Sequence, residues 1–166
     1  MPESARGGSA TKPRTAFDDA CRSLARRRLT ETEVRQRLSR RHSEAEIDAA
    51  IEKLKEYRFL DDESLIADYT RDRLQRSPRS AELIEAELQR RGIDPENFRR
   101  ILEGEFPDYD ELEVARRALE TKSKSLMKSP LQGRRERALR FLRGRGFSYE
   151  AMLGAWEWFR VGREVS

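Results

Sequence analysis

Leu88-Gln89-Arg90-Arg91-Gly92-Ile93-Asp94-Pro95-Glu96-Asn97-Phe98 reads as the end of one helix, a glycine stop and a proline-assisted start of the next. The phrase returns as Leu142-Arg143-Gly144-Arg145-Gly146-Phe147-Ser148-Tyr149-Glu150-Ala151-Met152. A shortened copy stands at Leu38-Ser39-Arg40-Arg41-His42-Ser43-Glu44-Ala45-Glu46-Ile47. The leading leucines lie 50 residues apart (38 to 88) and then 54 (88 to 142). A period of this size marks tandem copies of one small unit.

Physically, the phrase describes a helix-turn-helix corner. Gly92 and Gly146 can take a positive φ at a helix end without a Cβ penalty, and Ile93 and Phe147 would fill the angle between helices. In the first copy His42 replaces the glycine and the apolar neighbour is missing, so a looser corner is expected there.

Working outward, the rest of the chain also has helical period. Phe17, Ala20, Cys21 and Leu24 form an apolar stripe, and Arg26-Arg27-Arg28 would close that helix with cations at the negative end of its dipole. Thr30-Glu31-Thr32-Glu33 and Ser43-Glu44-Ala45-Glu46 have capping-box spacing, in which each side chain satisfies an exposed amide. Ile47, Ala50, Ile51 and Leu54 face inward, with Tyr57, Phe59 and Leu60 expected to close a small core. Asp61-Asp62 and Ser80 open the next helices, and Pro95 suits a first helical position. Phe106-Pro107-Asp108 repeats the punctuation of Phe59-Leu60-Asp61. Ser129-Pro130 breaks a long helix over Leu112–Leu126, and Met152, Leu153, Trp156 and Phe159 mark the last one.

No strand pattern is evident. The expected fold is all-α: three tandem three-helix, helix-turn-helix-like repeats in an elongated curved array. The expected divisions are a disordered tail over 1–15 and repeats over 16–61, 62–108 and 109–166. Charged residues make up 40% of the chain and apolar ones 36%, which suits thin helical modules with much exposed surface better than one compact globule. A module of this length is marginal alone, so neighbours should pack on each other.

The net charge is +4, but it is unevenly spread. Lys and Arg exceed Asp and Glu by 2 over residues 1–15, by 1 over 16–61 and by 5 over 109–166, while residues 62–108 are acidic by 4. Basic ends point to an anionic partner such as nucleic acid. One cysteine excludes an intramolecular disulfide, and one cysteine with one histidine excludes a Cys/His zinc finger. The sequence has no run long enough to span a membrane and no secretory signal, so a cytoplasmic protein with no membrane partner, metal or cofactor is expected.

The helices that would read DNA as recognition helices begin Ser43-Glu44-Ala45-Glu46, Asp94-Pro95-Glu96-Asn97 and Ser148-Tyr149-Glu150. Acidic starts favour capping and repel phosphate, which argues against operator reading. The richest basic stretch holds Lys122, Lys124, Lys128, Arg134, Arg135, Arg137, Arg140, Arg143 and Arg145 against the single acid Glu136. A run of charge is often only a solvated helix face. Nine cations against one anion favours an anion-facing surface with strongly salt-dependent contacts. Arg26, Arg27 and Arg28 form a smaller candidate cluster, and Arg40-Arg41 another. Both have dipole balancing as an equally good explanation. Trp156 and Phe159 read as core and Trp158 as the freer aromatic. Cys21 reads as structural, and His42 sits at a turn beside arginines. There is no phosphate-cradling glycine loop, and no enzyme is expected.

The set Phe59-Leu60-Asp61-Asp62, Ala67-Asp68-Tyr69, Arg73 and Ile84 through Ile93 resembles the core of the RecX family, regulators of the RecA recombinase. Arg140 through Ser148 resembles that family's close. The resemblance covers roughly residues 17–160 and departs at His42 and at Ser77-Pro78-Arg79. It implies tandem three-helix repeats and no catalytic residues. It also implies a negative modulator, expected as a monomer, lodged on the RecA–single-stranded-DNA filament. There it would limit filament growth, ATP hydrolysis and strand exchange, touching DNA directly or through the filament. The alternatives are a stand-alone helical DNA-binding protein using its basic C-terminal repeat, and a scaffold that makes no nucleic-acid contact.

Overall fold

The computed structural model of the chain describes residues 14–164. Most of the expected tail, residues 1–13, lies outside them. Among the described residues there are nine helices and no strands. They are α1 Ala16–Leu24, α2 Glu31–Leu38, α3 Glu44–Glu56, α4 Asp62–Gln75, α5 Ala81–Gln89, α6 Pro95–Glu105, α7 Glu111–Lys128, α8 Arg134–Gly144 and α9 Tyr149–Glu164.

Local chemistry sets the helix starts. Thr15, Thr30 and Ser43 each accept from the amide three residues on, and Asp18, Glu33 and Glu46 reach back to the cap amide, completing three capping boxes. Asp61, Ser80, Asp94 and Asp110 cap α4 to α7, and Pro95 occupies the first turn of α6. Helix α1 stops at Leu24 with Ala25 as its C-cap, so Arg26–Arg28 lie in the turn beyond it rather than in its last turn.

Three helix ends share one device. The Ile93 amide donates to the Leu88 carbonyl (3.1 Å) and the Phe147 amide to the Leu142 carbonyl (3.3 Å), with Gly92 and Gly146 at φ 83° and 79°. This bond, closing back over five residues, ends a helix by satisfying an orphan carbonyl. The Phe59 amide donates in the same way to Leu54 (2.8 Å), but the left-handed position is held by Arg58 at φ 56°. The α2–α3 corner works differently and is not loose. The Arg41 and His42 amides both donate to the Leu38 carbonyl at 3.0 Å, and the imidazole Nε2 lies 2.9 Å from Asp19 Oδ2 on α1. A side-chain tie across the unit replaces the glycine and its apolar neighbour.

The chain divides into two compact units, one ending at Leu60 and one beginning at Asp61. In the first, Val34, Leu38, Ile47, Ile51, Leu54 and Leu60 are buried together with Leu29 and Ala20. Tyr57 and Phe59 do not close this core. They are 53% and 57% exposed, because the left-handed turn at Arg58 swings the backbone outward and lets only Leu60 fold in.

In the second unit, Ile66, Ile84, Leu88, Phe98, Leu119, Leu142, Met152 and Phe159 belong to one continuous core. The α4–α5 loop is stitched to the α8–α9 corner. The Ser80 amide donates to the Arg145 carbonyl (3.0 Å), and Arg145 Nη1 donates to Ser77 Oγ (2.9 Å) and the Pro78 carbonyl (3.3 Å). Glu111 on α7 accepts from both the amide and the hydroxyl of Ser148, each at 2.8 Å.

Candidate nucleic-acid and partner interface

The basic stretch from Lys122 to Arg145 occupies the end of α7, the connecting turn and α8. Its nine cations separate into two kinds. Arg134 is half-buried and turned back onto α7, donating to the carbonyls of Ser129 (2.8 Å) and Met127 (2.8 Å). It satisfies carbonyls that a helix end leaves open. Arg145 is half-buried in the stitch to Ser77 and Pro78, with its guanidinium 5.0 Å from the Phe141 ring centre. Burial, with Arg79 nearby, holds its pKa below the ordinary arginine value. Lys122 sits 5.4 Å over the same ring. These contacts hold Arg134 and Arg145 in structural positions.

The other cations stand in water. Arg135, Arg137, Arg140 and Arg143 on α8, and Lys124 and Lys128 on α7, are exposed and form no ion pair among the described residues. Arg140 and Arg143 share a face with Leu139 and Glu136 and line a shallow hollow of about 230 Å³. The anion-facing candidates within the stretch therefore narrow to the exposed α8 arginines and the lysines of α7.

In the first unit the triplet also divides. Arg27 pairs with Glu33 at 3.3 Å, and Arg28 is engaged within the chain. Arg26 instead joins a basic groove of about 520 Å³ that sequence reasoning missed. Arg14 and Arg22 line it beside Arg26, and Arg37, Arg40 and Arg41 come from the end of α2 and its corner. Asp19 is the one acid in its lining, and that carboxylate is taken by His42. The bond to His42, against a smaller cost of burial, holds the Asp19 carboxyl below its usual range. The signal lay in spacing, since Arg22 on α1 and Arg26 in the turn beyond it, like Arg37 on α2 and Arg41 in the turn beyond that, are four residues apart, and the two helices meet.

Elsewhere in the unit some cations are paired. Arg35 reaches Glu31 (2.9 Å) and Asp48 (2.7 Å), and Lys55 reaches Glu31 (2.7 Å).

In the second unit Tyr69 donates to Glu87 (2.7 Å), Arg73 donates to Tyr69 (3.2 Å), and Arg79 pairs with Glu87. Burial and the bond to Glu87 push the Tyr69 phenol up. Trp156 stacks on Phe159 (centroids 6.0 Å), while Trp158 is 39% exposed under the Arg116 guanidinium. Cys21 packs against the first core, and burial pushes its thiol up, the opposite of an activated nucleophile. Among the described residues no cluster of His, Cys, Asp and Glu is placed to hold a metal ion, and no helix is long and apolar enough to cross a membrane.

The fold defines a class of all-helical proteins, and the comparisons place this chain within it. The family model for the first three-helix domain of RecX matches residues 16–54. A regulatory protein RecX of Chromohalobacter salexigens is 38% identical over 154 residues, covering 89% of this chain and 97% of that protein. One from Thermus thermophilus is 33% identical over 138 residues, covering 82% and 87%. The crystal structure of RecX from Lactobacillus salivarius superposes with a TM-score of 0.69 at 20% identity, covering 88% of this chain and 95% of that one, a likeness of fold. The chain belongs to the RecX family.

Proposed function

We propose that this protein is a negative modulator of the RecA recombinase, acting by binding and not by catalysis. It would lodge on the RecA–single-stranded-DNA filament in the cytoplasm and limit filament growth, ATP hydrolysis and strand exchange. Family membership supports the regulatory half of this reading, since the relatives are named regulatory proteins. The observation that carries the binding half is the exposed, unpaired arginine face of α8. Phosphates or acidic side chains meeting it would release counterions and make binding steeply salt-dependent.

The division of labour follows the charge. The basic faces at the two ends of the chain would approach DNA or acidic protein surface, and the acidic stretch over 62–108 would meet basic protein surface. The repeats over 16–61, 62–108 and 109–166 are the modules assigned to this work.

The test is a titration of the protein into RecA's DNA-dependent ATPase. Inhibition well below saturation of DNA sites is expected. Inhibition only when the DNA is stoichiometrically coated would mark a stand-alone DNA-binding protein instead. Absence of any salt-sensitive binding to single-stranded DNA would mark a scaffold.

A further inference from the structure

We propose that the first unit carries a path for single-stranded nucleic acid, with the arginine groove of α1 and α2 holding the backbone and an aromatic ledge at Phe17, Tyr57 and Phe59 stacking the bases. Such a path deepens the proposed function and rests on its nucleic-acid half.

Two surfaces of the unit meet to make this path. All six groove arginines are exposed, and none forms an ion pair among the described residues. The same unit pairs Arg27, Arg35 and Lys55 with carboxylates elsewhere, while Lys53 and Arg58, also without an ion pair among the described residues, stand at the aromatic ledge. Of the groove's lining only Leu38 is an apolar side chain. A protein partner's interface has an apolar centre depleted of charge, whereas nucleic-acid interfaces are polar and strongly positive. The groove matches the second kind.

Arg14 also lines the neighbouring hollow of about 440 Å³, together with Phe17 and Lys53. Its one acid, Glu46, is already bonded to the amide and hydroxyl of Ser43 at 2.8 Å each. From there the aromatic rings run on. Phe17 and Tyr57 have centroids 6.1 Å apart, Tyr57 and Phe59 5.8 Å, and the Lys53 amine stands 4.6 Å from the Phe17 ring centre. Tyr57 and Phe59 keep more than half of their surface in water. A groove that tracks phosphates beside rings that accept unpaired bases is the arrangement by which single strands are held without sequence preference. A duplex keeps its bases stacked inside and gains nothing from the ledge.

Arg58 fits the same reading. It takes a left-handed conformation where the corresponding helix ends use Gly92 and Gly146, and this turn presents Tyr57 and Phe59 outward on either side of a cation. Strained positions that persist without glycine gather at functional sites.

The experiment measures anisotropy of an end-labelled oligothymidylate, and of a duplex of equal length, over a salt series with the full chain. Arg22→Glu, Arg26→Glu and Arg41→Glu together should lower the slope of log affinity against log salt by about 2, at roughly 0.7 for each single-strand phosphate left without its cation. The matching Arg→Lys triple variant should keep the slope, which separates charge from folding. Tyr57→Ala with Phe59→Ala should weaken oligothymidylate binding about tenfold or more. Duplex binding and the salt slope should stay unchanged in that variant.

Unaltered binding in the Glu variant would overturn the path. If Arg135→Glu, Arg140→Glu and Arg143→Glu abolish binding in the same assay, the proposed function survives without it. Loss of filament binding with oligothymidylate binding intact would also overturn it, in favour of an acidic protein surface. Loss of oligothymidylate binding in a chain that fails to inhibit RecA would leave the path standing and remove the proposed function.

Discussion

Gly146 and Arg58 occupy equivalent places at two helix ends and carry opposite chemistry. At Gly146 a Cβ would meet Ser80 Oγ at 2.6 Å and Leu83 Cβ at 2.7 Å, on a backbone already at φ 79°. Left-handed backbone costs an L-residue about 1–2 kcal/mol, and overpacking adds about 1–3 kcal/mol. Gly146→Ala should therefore destabilise the second unit by about 2–5 kcal/mol, read as a lower urea midpoint with an unchanged slope.

Arg58 already bears the left-handed cost. Arg58→Gly relieves it, offset by the greater chain entropy of glycine, and should raise the stability of the first unit by about 0.5–1 kcal/mol in thermal melts. Unchanged or lowered stability would mean that Arg58 holds its conformation through contacts of its own. The glycine at 146 is legible in the repeated phrase, as is its role as a stop. The exposure of Tyr57 and Phe59 is not, because an arginine gives no sign in sequence that it will turn left-handed. Aromatic residues after an apolar helix face read as more core.

At the scale of the helix, the starts are the most legible features of the chain. A Thr or Ser followed three residues later by an acid names its own bonds, and three such boxes form in the first unit. They make that unit acid-sensitive. Asp18 and Glu46 are held below the usual carboxylate range by Thr15 and Ser43, Asp19 by His42, and Glu31 by Lys55 and Arg35 against burial. In the second unit Glu157 is held down by Arg160.

A carboxylate whose folded pKa is depressed contributes stability above its unfolded pKa and loses it as pH falls through the folded value. The first unit should thus lose protection before the second as pH falls below about 4, near the ordinary carboxylate pKa. Amide hydrogen exchange resolved by segment reads this directly, and Thr15→Ala with Ser43→Ala should shrink the difference. Equal loss in both units would contradict it.

Basic faces are less legible than caps. Counting a charge run treats every cation alike, yet Arg134 and Arg145 satisfy carbonyls and stitch loops while Arg140 and Arg143 face water. The groove arginines come from α1, α2 and the segments flanking them and form no long run, so only the packing of α1 on α2 gathers them.

For the whole molecule, binding should depend on charge while the fold does not. Arg135, Arg140 and Arg143 are exposed and unpaired among the described residues, so Arg→Glu at all three should leave the helical circular-dichroism signal unchanged. Filament binding should weaken steeply, and its salt slope should fall by about 2 on a single-strand scale. Unchanged affinity would remove the α8 face from the interface.

The central claim, regulation of RecA through its filament, rests most directly on the ATPase titration. With single-stranded DNA in excess and RecA filaments formed, the protein should suppress ATP hydrolysis at concentrations far below those that coat the DNA. Suppression that begins only at stoichiometric coverage of the DNA, or none at all, would contradict the claim.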